Sequence, residues 1–234
     1  MTQSHGNRLI AALIRHGEYE QLPDTPSAHQ PYALNKKGNR HARAGAAELL
    51  EAVRKNNWNV YPVFDCSTLL RAWQTAGIYR ELMAESMTVE PVLESFDMLV
   101  ERGMGSAANL SMGEINRIIE ADPRYDPPPR GWKSMTHYRL PMFGAESLHD
   151  AGIRVAGHID HRLDAVAGVV DVDTVKIFVG HGAAFRHAVR SFGVISDEDA
   201  VELRMRYGRP MFFERLADGQ WRHIGGRWKR IAPE

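Results

Sequence analysis

An unbroken apolar run, Leu9-Ile10-Ala11-Ala12-Leu13-Ile14, ends abruptly in Arg15, His16 and Gly17. The run is too short to cross a membrane, and its lack of alternation suits a strand buried on both faces of a parallel sheet. A cation and an imidazole therefore stand where the strand leaves the core. In open α/β sheets, ligands bind beyond the carboxyl ends of the strands, and Gly17 permits close backbone approach. The combination suits an anion, most simply a phosphate. The pattern returns in Phe178-Val179-Gly180-His181-Gly182, another apolar strand ending in a histidine before a helix.

Strands are expected at residues 8–14, 60–66, 87–93, 175–180 and 210–216, with a sixth at 221–224 closing a hairpin through Asp218-Gly219. Helical patterns lie between them at 39–54, 71–85, 146–166, 183–192 and 197–205. In the first, Ala42, Ala46, Leu49, Leu50 and Val53 share one face. Ser147 and Asp150 have the spacing of a capping pair at the third. This alternation predicts a single domain over 1–234: an α/β fold, a three-layer α/β/α sandwich around a mainly parallel sheet. Two stretches break the rhythm. Residues 20–31 hold three prolines and read as a loop. Residues 96–144, rich in Met, Gly and Pro, read as an irregular capping insertion with short helical pieces such as 112–121.

The formal net charge is zero, so no overall field draws the chain to nucleic acid or a membrane. Among the basic residues, 23 Arg outnumber six Lys, a balance that suits bidentate phosphate recognition and equally a genomic codon bias. Cys66 is the only cysteine, which excludes an intrachain disulfide framework. The first eight residues are polar and the apolar run after them is shorter than a signal-peptide core, so a cytoplasmic location is expected. His158 and His161, on one helix with Asp160 and Asp164, read as a solvated polar face rather than a metal pair.

Two further segments carry chemistry. Ser67-Thr68-Leu69-Leu70-Arg71-Ala72-Trp73-Gln74-Thr75-Ala76 begins at a strand end and opens a helix, where free N–H groups also favour anions. Glu101-Arg102 places an acid in the irregular insertion. With Arg15-His16-Gly17 and His181-Gly182, this ordered set resembles the histidine phosphatase superfamily, in particular its phosphoglycerate mutase-like branch. Leu34-Asn35-Lys36-Lys37-Gly38 is similar to the family's turn before its first helix, and residues 67–76 match its Ser-x-Leu-x-Arg-Ala-x-Gln-Thr-Ala segment.

The resemblance implies phosphoryl transfer without a metal or other cofactor. His16 would be the nucleophile. Arg15 and Arg71 would clamp the phosphate oxygens, with His181 and Gly182 contributing further donors. Glu101, held protonated, would serve as acid and then base. By the same resemblance Tyr19, Arg102, Met104 and Ala183 would lie near the substrate.

Several positions depart from the mutase pattern. Tyr19 and Leu22 replace Ser and Asn, Met104 replaces Tyr, Met112 replaces Lys, and Ala183 replaces Asn; an Arg pair ahead of Tyr125 is reduced to Arg124. Each lost charge-assisted bond is worth about 1.5–3 kcal/mol, enough together to cripple glycerate recognition. The expectation is therefore a phosphomonoester hydrolase acting on a small phosphorylated metabolite. That metabolite would carry an apolar portion against Met104, Met112, Trp132, Met135 and Met142, although these side chains suit packing of the insertion at least as well. A mutase primed by bisphosphoglycerate and a protein-directed phosphatase or regulatory binding member stay open, as does the homodimeric state common among relatives.

Overall fold

The computed structural model describes residues 7–26 and 29–230. The start of the polar N-terminal stretch and part of the 20–31 loop lie outside those residues. In chain order the elements are β1 (Leu9–Arg15), α1 (Lys36–Asn56), β2 (Asn59–Val60), β3 (Val63–Ser67), α2 (Leu70–Ala84), β4 (Val92–Phe96), α3 (Met112–Ala121), α4 (Leu148–Ala167), β5 (Thr174–Gly180), α5 (Gly182–Ser191), α6 (Asp197–Glu202), β6 (Leu203–Arg204), β7 (Pro210–Arg215), β8 (Trp221–Gly225) and β9 (Lys229–Arg230). The main sheet runs β4-β3-β5-β1-β7-β8, with β2 also paired to β5. Pairs β3/β4, β3/β5, β1/β5 and β2/β5 are parallel, while β7 and β8 form an antiparallel edge.

Side-chain alternation along β1 builds two cores. Ile10, Ala12 and Ile14 join the layer that includes Ala46 and Leu49 of α1 and Ala72, Ala76 and Tyr79 of α2. Ala11 and Leu13 join the opposite layer, with Val155, Ile159 and Leu163 of α4 and Ala184, Phe185 and Ala188 of α5. These are the helix layers of an α/β/α sandwich. Each fully buried aliphatic chain contributes about 1.5–3 kcal/mol, and both faces of β1 are closed to water. A charged cluster sits inside. Asp65 of β3 accepts from Lys176 Nζ (2.6 Å), Arg162 Nε (2.8 Å) and His158 Nε2 (3.1 Å). His158 is therefore not on a solvated face; it is buried and bonded to this carboxylate.

The register of β1 on β5 places Arg15 beside Gly180, and β3 ends level with them, since Cys66 lies beside Val179. Arg15, His181 and Ser67 thus leave the sheet at the same rim.

Four elements depart from the sequence expectation by more than two residues or in kind. Helix α1 starts three residues early because Asn35 caps it, its Oδ1 accepting from Gly38 N at 2.8 Å. The expected strand at 60–66 splits at Pro62 into β2 and β3, since proline offers no N–H to a ladder. The strand expected at 87–93 is displaced to β4. Met87 N closes the end of α2 on Ala84 O, and Pro91 delays the ladder until Val92 donates to Pro62 O. The last helix stops at Glu202, because Leu203–Arg204 pair with Lys229–Arg230 instead.

The insertion between β4 and α4 has a small core of its own. Met104, Ile115, Ile119, Trp132 and Leu140 pack together with Met112 and Met142 beside them. Trp132 Nε1 donates to Asn116 at 3.1 Å, and Ser111 and Glu114 form a capping box on α3. Arg154 anchors the entry, donating to both carboxylate oxygens of Glu146 (2.8 Å each) and to the Met98 carbonyl at 2.8 Å. Among the described residues no helix is long and apolar enough to cross a membrane.

Candidate active site

His16 follows the last residue of β1, tied to β5 by its N–H on Gly180 O at 2.9 Å. Its Nδ1 lies 2.7 Å from the carbonyl of Gly17. A carbonyl can only accept, so Nδ1 carries the proton and Nε2 the lone pair. Burial first, then the Arg71 and Arg15 cations, push this imidazole well below its usual pKa. His16 is therefore neutral at neutral pH, with Nε2 as its basic nitrogen.

His181 caps α5 at the end of β5, its ring centroid 5.0 Å from that of His16. Arg71, fully buried in the first turn of α2, fills the space between the rings. Its Nε donates to His16 Nε2 and its Nη2 to His181 Nδ1, both at 3.2 Å, and its Nη1 donates to the Gln30 carbonyl at 2.7 Å. His181 Nδ1 is thus an acceptor, and its Nε2 donates to Ser67 Oγ at 2.9 Å. The sequence reading expected His181 to donate at the phosphate. Its Nδ1 becomes a donor on protonation, which burial and the neighbouring Arg71 oppose by lowering its pKa well below the usual value, or by a change of tautomer in which the Ser67 hydroxyl donates to Nε2. The groups pair with one another because buried polar atoms must find partners.

The residues 67–76 segment assembles this cluster piece by piece. Ser67 receives His181, and Gln74 Oε1 receives Leu34 N at 2.8 Å. Thr75 Oγ1 accepts from Gly17 N at 3.0 Å and donates to the Arg71 carbonyl at 2.7 Å. A Cβ on Gly17 would lie 2.4 Å from the Gly38 carbonyl oxygen, so the strand end and the start of α1 touch backbone to backbone.

Arg15 lies over Gly182, where an added Cβ would come within 2.9 Å of Arg15 Cδ. Its guanidinium carbon is 3.7 Å from the centre of the Tyr207 ring, and its Nη1 donates to Met205 O at 3.1 Å. Tyr19 packs edge-on to His16, and the Arg71 guanidinium stands 4.5 Å above the Tyr19 ring.

Glu101 enters from the insertion. Its Oε1 accepts from Arg102 N and Ala184 N, both at 2.9 Å, and its Oε2 from Ala183 N at 3.2 Å. The carboxylate thus satisfies free N–H groups at the start of α5, a favourable place for an anion.

In front of these groups lies a cleft of about 190 Å³, lined in part by Arg15, His16, Glu101, Arg102, Met104, Gly182 and Ala183. The sequence reading also expected an apolar wall. Of its five candidates Met104 alone lines the cleft; Trp132, Met112 and Met142 pack the core of the insertion, and Met135 is exposed. The remaining wall includes Lys133, Arg186 and Arg204, all missed from sequence. Arg186 left one legible trace, a cation within the apolar face of α5; Lys133, Arg204 and Tyr207 left none. Arg124 lies on the outer side of the insertion, paired to Asp122 at 2.6 Å.

A family model described as the histidine phosphatase superfamily (branch 1) matches residues 11–219. No curated protein matches the chain. Among solved structures, a phosphoglycerate mutase from Bacillus anthracis str. Sterne superposes with a TM-score of 0.69 at 16% identity, covering 94% of this chain and 93% of that one. A mycobacterial hydrolase gives 0.66 at 18% identity, covering 94% and 98%. A mycobacterial glucosyl-3-phosphoglycerate phosphatase gives 0.62 at 18% identity, covering 93% and 97%. At such identities these likenesses concern the fold.

Proposed function

The chain belongs to the histidine phosphatase superfamily, branch 1, and from that premise we propose that it hydrolyses a small phosphomonoester through a phosphohistidine at His16. The observation that carries this reading is the fixed tautomer of His16, whose Nε2 lone pair is held within a cationic cleft.

In the first half-reaction the Nε2 lone pair forms a bond to phosphorus, and the bond from phosphorus to the ester oxygen breaks. Glu101, entering this step in its protonated form, supplies the proton to that oxygen. Its Oε2 takes a single N–H, against two on Oε1, so Oε2 is the atom with a lone pair to spare for the proton. Entering phosphate takes over the Arg71 N–H groups now on the two imidazoles, and Arg15 supplies a second guanidinium. Fixed charge of this kind is usually the largest catalytic contribution. In the second half-reaction Glu101 takes a proton from water as its oxygen attacks phosphorus. The N–P bond breaks, its electrons return to Nε2, and inorganic phosphate leaves.

A hydrolase is favoured over a mutase because the groups that would hold glycerate are replaced, and Arg124 stands outside the cleft. The test is a panel of phosphomonoesters assayed for free phosphate, with acid-labile, alkali-stable label sought on His16. Phosphate release without bisphosphoglycerate, abolished in His16→Ala, is the expected result. Isomerisation that depends on the primer indicates the mutase. Turnover undiminished in His16→Ala overturns the covalent step.

A further inference from the structure

The cleft carries more positive charge than one phosphate requires. Besides Arg15, its lining includes Arg102, Lys133, Arg186 and Arg204, with Glu101 as the only carboxylate among the described residues. Several partly buried arginines elsewhere are matched by acids: Arg8 with Glu214, Arg154 with Glu146, Arg162 with Asp65, Arg215 with Asp164. Among the described residues no acid comes within 4.0 Å of Arg186 or Arg204 in this way. Arg186 is 6% exposed and projects from α5, five residues beyond His181. Its Nε donates to the Ala200 carbonyl, and neither Nη makes a hydrogen bond to a described residue. Burial and then nearby Arg204 disfavour its charge, Glu101 partly offsets them, and Arg15 opposes it further. Arg204, half-buried in β6, uses Nη1 on the carbonyls of Val201 and Leu203, and Arg15 is again its repelling neighbour.

Like charges gathered where water is scarce repel strongly, and a guanidinium that is buried without an anion is costly. The Arg186 and Arg204 pair is held in place by backbone carbonyls, not by acids, so its forks stay available to a ligand. Guanidinium groups suit planar or tetrahedral anions bound bidentately. Neither residue stands at a position where the mutase pattern holds glycerate.

We infer that the substrate carries a second anionic group, a carboxylate or a second phosphoryl group, seated against Arg186 and Arg204 while the transferred phosphate lies at His16. This rests on the phosphatase reading above and narrows its substrate class. Arg102 and Lys133, from the insertion, complete the cationic lining of the same cleft.

The test uses the whole protein and matched phosphomonoesters: 3-phosphoglycerate against glycerol 3-phosphate, and fructose 1,6-bisphosphate against fructose 6-phosphate. In at least one pair the doubly anionic member should show a kcat/KM at least tenfold higher, carried mainly by KM. The pair that responds tells carboxylate from phosphoryl. In Arg204→Gln that ratio should fall toward one, and Arg204→Lys should restore part of it. Ratios near one in both pairs of the wild type, with turnover intact and His16 labelled, overturn the second-anion site and leave the phosphatase standing. A high wild-type ratio unchanged in folded Arg204→Gln overturns the assignment to this pair. No hydrolysis of any member, with His16 unlabelled, overturns the phosphatase reading and this inference with it.

Discussion

Arg71 Nε lies 3.2 Å from His16 Nε2, so the basic nitrogen of the histidine already accepts a hydrogen bond from the residue proposed to clamp phosphate. The same guanidinium reaches His181 Nδ1. Substrate must exchange those bonds for its own oxygens, which makes Arg71 both the gate on the nucleophile and its electrostatic partner. Arg71→Gln should lower kcat by roughly 10²–10³-fold. It should also raise the His16 pKa, because a cation that opposes protonation has gone while burial remains. Steady-state kinetics and an NMR titration of His16 check the two halves separately. An unchanged kcat would place the phosphate elsewhere.

Gly182 makes room for Arg15. A Cβ there would stand 2.9 Å from Arg15 Cδ and 3.0 Å from its Nε. The side chain is confined on its other side by Tyr207, 3.7 Å away, so it cannot yield freely. Gly182→Ala should displace the guanidinium, costing about 1–3 kcal/mol in strain and roughly tenfold or more in kcat/KM. Thermal unfolding measures the first effect and kinetics the second. Wild-type kcat/KM in this variant would show that Arg15 does not act from where it lies.

What could be read from the chain follows from how locally each feature is encoded. Arg15, His16 and His181 sit at the ends of apolar runs, and parallel register brings those ends level, so their convergence was implicit in two short stretches. The 67–76 segment is similarly local: one turn of α2 presents Arg71, Gln74 and Thr75 to His16, Leu34 and Gly17. Glu101 was legible as an acid in the insertion, whereas its seat on the α5 N–H groups was not, because 82 residues separate it from Ala183. Lys133 and Arg204 reach the cleft only through the folding of the insertion and the turn of the chain after α6. The strand expected at 87–93 failed because propensity says nothing of Met87 N closing α2.

Acid should destabilise the fold before its carboxylates titrate. Burial holds His16 and His181 well below their usual pKa, and His187 down from 6.5 to about 4. The unfolded chain therefore binds more protons than the native one below the unfolded value, and stability falls as pH drops from about 6.5 toward those depressed values. His187 alone should remove about 2 kcal/mol between pH 7.5 and 5. Urea unfolding at both pH values should show the loss, and it should be smaller in His187→Gln. A stability that is flat or rises between those values would contradict the buried neutral histidines.

The proton assigned to Glu101 has a signature that depends on the leaving group. Glu101→Gln keeps one oxygen, which at the place of Oε1 still accepts the Arg102 and Ala184 N–H groups, while its amide nitrogen gives up the weaker Ala183 bond at Oε2; most of the cap on α5 is kept and the proton to give or take is lost. An alkoxide leaving group needs that proton and a nitrophenolate does not. Glu101→Gln should therefore slow hydrolysis of an alkyl phosphate by roughly 10²–10⁴-fold. With p-nitrophenyl phosphate the formation of phosphohistidine should stay fast while its hydrolysis slows, since water still needs a base. Rapid-quench labelling of His16 would then reveal accumulated phosphoenzyme. If both substrates slow equally at the first step, Glu101 acts by shaping the cleft through α5, and the acid must be sought among the other groups that line it.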